Sequence, residues 1–224
     1  MEQPVTEIDE SATRWRDAKD GREGSHLLVV MHGYASYEGD LIELAPGLPD
    51  NVTVASLRAP ITLRPESPAQ QGAYAWFAIG GESPDRSLID LSVDAVIAWL
   101  DSLEAKHSTE FATIGLMGFS QGGVMTLQLA RTQSDRFDYL VQLSGFAHAG
   151  EHSGDARLME RQPRIPAFQA WGDHDPVIAP NATMRTREWM ATHTDHEEHE
   201  YSMPHAVVPQ EVADISAFIS RQIG

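Results

Sequence analysis

Cysteine is absent from this chain. That excludes disulfides, thiol catalysis and cysteine-ligated metals. Also missing is any uninterrupted apolar run of about 18 residues, the length a membrane-spanning helix needs. Basic residues are scarce: 16 Lys and Arg stand against 33 Asp and Glu, a net charge of −17. A surface of this sign repels nucleic acid and anionic membranes. Neither nucleic acid nor a stably bound membrane is therefore an expected partner. The opening segment MEQPVTEIDESATRWRD is acidic and polar, unlike a secretory leader. Together with the missing cysteine, it makes a cytoplasmic protein the expectation. Asn51-Val52-Thr53 and Asn181-Ala182-Thr183 match glycosylation sequons, which without a secretion signal are coincidental.

What is present suits one α/β domain over residues 1–224. Apolar runs alternate with helical patterns, the signature of a mostly parallel sheet flanked by helices on both faces. The expected strands are His26–Met31, Val52–Leu57, Thr113–Met117, Tyr139–Leu143, Ala167–Trp171 and His199–Ser202. The strongest helix is Leu88–Lys106, where Ile89, Val93, Val96, Ile97, Leu100 and Leu103 recur at helical spacing and Asp85 or Ser87 caps the start. Further helices are expected over Gly123–Arg131, Asn181–Thr192 and Gln210–Arg221. Two segments break the alternation. Residues 58–84 carry several prolines with Tyr74, Trp76 and Phe77, and a loop of that length in a compact domain is usually functional. Trp76 and Phe77 either line a substrate pocket or plug the loop onto the core. Ala147–Arg164 is polar and reads as a mobile surface loop, covering the site as the alternative.

The most informative stretch is Gly118-Phe119-Ser120-Gln121-Gly122, between an apolar segment and a helical one. Strand, G-x-S-x-G and helix make the context of a nucleophile elbow, with the serine strained and exposed at the carboxyl edge of a sheet. Serine is a weak nucleophile at neutral pH and needs a base, itself oriented by a carboxylate. In the compact α/β-hydrolase fold the chain order is serine, acid, histidine, each after a strand. Here Asp173-His174-Asp175-Pro176 and then Met203-Pro204-His205 follow the last two expected strands. His205 is the candidate base. Asp173 and Asp175 are both candidate acids; Pro176 stiffens the turn at Asp175 and favours it. Backbone N–H groups of Gln121 and of Tyr34, after Gly33, are the candidate oxyanion donors. His32 reads as a buried imidazole bracing that loop. The run Thr192–Glu200 (THTDHEEHE) lacks the spacing of a zinc helix and reads as a solvated stretch leading into an edge strand.

With these residues placed, the chain resembles the phospholipase/carboxylesterase family, which includes acyl-protein thioesterases and small bacterial carboxylesterases. The resemblance runs from about residue 26 to the C-terminus. It is carried by HGYASYEGDLIELAPGLP, ASLRAP, AYAWF, GFSQGG, GDHDPVI and the Pro-His before the last helix. It implies a serine esterase without metal or cofactor, with Asp175 as the acid, His205 as the base and the aromatic segment shaping the acyl site. Bacterial relatives more often have glycine and asparagine where this chain has Ala35 and Tyr37.

The resulting expectation is a serine carboxylesterase acting on short- to medium-chain esters through an acyl-enzyme, with Ser120, Asp175 and His205 as triad. Its partner is a small-molecule ester, and the protein itself is a monomer or homodimer. Little length remains for a lid, so the site is open. A lysophospholipase or acyl-thioesterase would use the same residues. A non-catalytic binding protein on this scaffold is the reading from a different class.

Overall fold

The computed structural model describes residues 6–79, 84–107 and 110–224. Residues 80–83, within the long loop read from the sequence, lie outside the described residues. In chain order the strands are β1 (Arg14–Arg16), β2 (His26–Met31), β3 (Val52–Leu57), β4 (Ile61–Arg64), β5 (Ala73–Ala75), β6 (Thr113–Phe119), β7 (Tyr139–Leu143), β8 (Pro166–Gly172) and β9 (Asp195–Tyr201). The helices are α1 (Arg86–His107), α2 (Gln121–Thr132), α3 (Asp155–Glu160), α4 (Pro180–His193) and α5 (Pro209–Ile223). Seven strands make one sheet in the order β1-β3-β2-β6-β7-β8-β9. Every neighbouring pair is parallel except β1 with β3. Among the described residues no helix is long and apolar enough to cross a membrane.

The near-continuous apolar character of β2, β3 and β7 follows from burial on both faces. Alternate residues of β2 serve opposite cores. Leu27, Val29 and Met31 join Ile89, Val93, Val96 and Leu100 of α1 and Val124 and Leu127 of α2. Leu28 and Val30 join Ile215, Phe218 and Ile219 of α5, together with Leu41 and Ala45 of a 3-10 turn over Leu41–Gly47. Each apolar stripe thus has a sheet face to bury itself against, and the strand ends are left for chemistry. The start of α1 is capped by Asp85, whose Oδ1 accepts the Ser87 N–H at 2.9 Å.

Three segments differ from the sequence reading. The loop after β3 contains the antiparallel ribbon β4–β5, so backbone pairing supports its prolines and aromatics. The segment 147–164 contains α3 and is fastened: Arg131 of α2 donates from Nε and Nη2 to Asp155 at 2.8 and 3.1 Å, and also bonds the carbonyls of His148 and Gly150. A mobile surface loop does not describe it. Finally, the acidic run does not lead into the edge strand but is the edge strand, since β9 starts at Asp195 rather than His199. Its charges pair locally, Arg187 with Glu198 at 2.6 Å and Arg221 with Glu197 at 2.7 Å. Charge along an edge discourages pairing with another chain, and the parallel ladder with β8 holds these residues of low β propensity in the strand. Among the described residues no group of three or more His, Asp or Glu is arranged to hold a metal ion.

Candidate active site

Four loops meet at the carboxyl ends of the parallel strands. The first joins β6 to α2. Ser120 lies between them at φ 54° and ψ −113°, a conformation that costs a side-chain-bearing residue about 1–3 kcal/mol. The neighbours enforce it. Ser120 N–H donates to the Leu143 carbonyl at 2.8 Å. A Cβ on Gly118 would lie 2.0 Å from the Gly122 carbonyl oxygen, and one on Gly122 would lie 1.9 Å from that of Met31. Both glycines are thus required by close backbone approach.

The second loop leaves β2. A Cβ on Gly33 would sit 3.5 Å from Ser120 Cβ, so the His32-Gly33-Tyr34 segment lies directly against the candidate nucleophile. His32 has no exposed surface. Its Nε2 accepts the Ala59 N–H at 3.2 Å and its Nδ1–H therefore donates to the Gly33 carbonyl at 2.7 Å. Burial pushes its pKa down, in keeping with a neutral ring that braces the loop.

The third and fourth loops leave β8 and β9 and touch where Gly172 packs on the Met203 carbonyl. Asp175 uses one carboxylate oxygen locally: Oδ1 accepts N–H groups of Val177 at 2.7 Å and Ile178 at 3.0 Å. Its other oxygen, Oδ2, accepts the Nδ1–H of His205 at 2.7 Å. Burial pushes the Asp175 carboxyl up, but the imidazole and the two backbone donors outweigh it and hold the pKa below the ordinary value. Asp173 does not reach His205; it pairs with its neighbour His174. The His205 ring also packs on Phe119, centroid to centroid 4.7 Å. Phe119 occupies the unspecified position before the serine in G-x-S-x-G, so the motif carries no signal for it.

Trp76 and Phe77, which the aromatic segment suggested for a substrate pocket, are 0% and 1% exposed. Their surface is spent on the core. Exposed apolar side chains on segments that adjoin the site in sequence are Tyr34 at 43%, Ile79 at 64% and Val177 at 61%. A cleft of about 220 Å³ borders Asp175 and is lined by Trp171, Ile178, Met184 and Arg187. Neither Ser120 nor His205 lines it, so it is not where a bond attacked by Ser120 would lie.

The family model for phospholipase/carboxylesterase matches residues 18–223. The chain is similar to acyl-protein thioesterase 1 of Saccharomyces cerevisiae, 26% identical over 163 residues, covering 66% of this chain and 69% of the yeast protein. Among solved structures, the Bacillus cereus carboxylesterase superposes with a TM-score of 0.76 at 16% identity, covering 94% of each chain. Zea mays acyl-protein thioesterase 2 superposes with a TM-score of 0.71 at 20% identity, covering 95% of this chain and 99% of its own.

Proposed function

This chain belongs to the phospholipase/carboxylesterase family, and on that premise we propose that it is a serine carboxylesterase for soluble esters of short or medium acyl chain. The observation that carries the reading is the Asp175–His205 hydrogen bond at 2.7 Å, on a ring that packs against the residue preceding the strained Ser120. Asp175 holds Nδ1, which leaves Nε2 as the nitrogen that takes the Ser120 hydroxyl proton. Ser120 Oγ then bonds to the ester carbonyl carbon, and the carbonyl oxygen becomes an oxyanion. The N–H groups of Tyr34 and Gln121 stabilise that charge. His205 returns the proton to the departing alkoxide, leaving an acyl-serine and an alcohol. Water, deprotonated by the same ring, hydrolyses the acyl-serine and restores Ser120.

Exposed Tyr34, next to the Gly33 that packs on Ser120, and exposed Val177, hydrogen-bonded to Asp175, support an apolar acyl group of modest length at an open site. A thioester would be cleaved by the same steps, and the thioesterase names among the relatives keep that substrate class in view. The net charge of −17 disfavours work on anionic lipid surfaces and, with cysteine absent, fits a cytoplasmic setting. The test is hydrolysis of p-nitrophenyl esters from acetate to laurate by wild type and Ser120→Ala. Loss of turnover in the variant with a short- or medium-chain optimum supports the reading. Equal rates from both proteins remove Ser120 as nucleophile and favour a binding protein on this scaffold.

A further inference from the structure

The two loops assigned oxyanion donors do not touch only each other. Between them runs the segment Tyr74–Phe77, buried throughout. Toward the nucleophile elbow, it is gripped by the side chain of Gln121. Gln121 Oε1 accepts the Trp76 N–H at 2.8 Å, and Nε2 donates to the Phe77 carbonyl at 2.7 Å. Toward the other loop, the Trp76 indole N–H donates to the His32 carbonyl at 2.9 Å. Tyr74 adds a backbone pair with the same loop, accepting from Ala35 N at 2.9 Å and donating to Ser36 O at 2.9 Å. Ser92 of α1 fixes the back of the segment by donating to the Trp76 carbonyl.

We infer that Trp76 is a positioning residue for the oxyanion hole, a splint that sets the spacing between the Tyr34 and Gln121 N–H groups through the His32 carbonyl on one side and the Gln121 carboxamide on the other. The inference rests on the esterase reading. The physical reason is that an oxyanion hole tolerates little misalignment. A donor aids the transition state only when already aimed at the oxyanion, and a misplacement of ~1 Å can cost about 10² in rate. Each loop alone is bent at a residue of positive φ, Ala35 and Ser120, so neither holds the spacing by regular secondary structure. A tryptophan is suited to the role because its backbone and its indole N–H, on opposite ends of a rigid ring, bond two partners at once. Glutamine after the nucleophile likewise supplies one donor and one acceptor from a single buried group.

The test is Trp76→Phe, which keeps an aromatic ring and removes the indole N–H, with Gln121→Met as the cut at the other end. Each is assayed on a p-nitrophenyl ester for kcat and KM separately, per active site titrated, alongside Ser120→Ala. Each is also titrated with a trifluoromethyl ketone, whose adduct with serine carries the oxyanion. The expected result is a fall of about 10- to 10²-fold in kcat, KM little changed, and ketone affinity weakened by the same factor as kcat/KM. The double variant should lose less than the product of the two single losses, because both cut one chain of contacts. Wild-type kcat and ketone affinity in folded Trp76→Phe would overturn the splint while leaving the esterase reading intact. So would a loss confined to the fraction folded. Wild-type turnover in Ser120→Ala would overturn both.

Discussion

Asp175 and Asp173 sit two residues apart in one turn, yet their surroundings separate them completely. Asp175 has both oxygens committed, one to backbone donors and one to His205, whereas Asp173 engages His174, Ser202 and the Met203 backbone and not His205. Under the proposed mechanism, Asp175→Asn should lower kcat by about 10⁴, because the amide favours the wrong imidazole tautomer. Asp173→Asn should stay within a few-fold of wild type, and steady-state assay of both variants decides the assignment. A larger loss from Asp173→Asn would reverse it. Ala35 makes a second residue-scale case. It holds φ at 60°, where a Cβ costs about 1–2 kcal/mol, while glycine loses about 0.5–1 kcal/mol more entropy on folding. Ala35→Gly should therefore gain about 0.5 kcal/mol and raise Tm by about 1–2 °C. A lower Tm in thermal unfolding would show that the loop relaxes around alanine.

Among the elements, α5 carries an unusual group in its first turn. Glu211 has no exposed surface; one oxygen accepts the Val208 N–H at 3.3 Å, while Oε1 has no hydrogen-bond partner among the described residues. Burial first, opposed by that N–H and assisted by the nearby Asp214, pushes its pKa up to about 7. Below the ordinary glutamate value, the carboxyl is protonated in both folded and unfolded chains and contributes no pH dependence. From there to about 7, the folded state keeps a proton that the unfolded chain has released. Stability must then fall as pH rises, by up to about 3 kcal/mol. Glu211→Gln keeps an acceptor for Val208 and removes the charge, so its Tm should exceed that of wild type at pH 8 and match it near pH 4.5. An equal Tm difference at both pH values would contradict the buried-carboxyl account. At the sheet edge, β9 shows the opposite solution: its acids remain solvated and paired with Arg187 and Arg221.

For the molecule as a whole, the excess of acid is the property most open to measurement. A net charge of −17 surrounds the proposed site with a field that repels anions and fades within a Debye length of about 10 Å at 0.1 M salt. A p-nitrophenyl hemisuccinate should therefore show kcat/KM rising with ionic strength, while the neutral butyrate stays flat. Parallel curves for the two esters would mean that the field at Ser120 is locally cancelled. Both faces of the seven-stranded sheet are covered by apolar helix stripes, so most charged side chains are left to the exterior and to β9, with Glu38, Arg131 and Glu211 as buried exceptions.

Much of this is legible in the chain alone. The central strands from His26 to Leu143 stand where their apolar runs begin, because burial on both faces leaves a local signature in composition. The elbow is readable for a similar reason: Gly118, Ser120 and Gly122 satisfy a backbone constraint contained within five residues. Local signals fail where partners lie far apart in sequence. The sequence ranks Asp175 above Asp173 but does not bring either to His205. It leaves Trp76 and Phe77 equally able to line a pocket or fill the core, and burial by α1 and α2 decides that. It starts β9 too late, since the ladder with β8, and not side-chain propensity, draws Asp195–Glu198 into the sheet. Chain order and local geometry therefore determined the reaction class proposed. Only tertiary packing decided which carboxylate meets the imidazole and which aromatics brace the site, because those choices depend on distances that no sequence spacing contains.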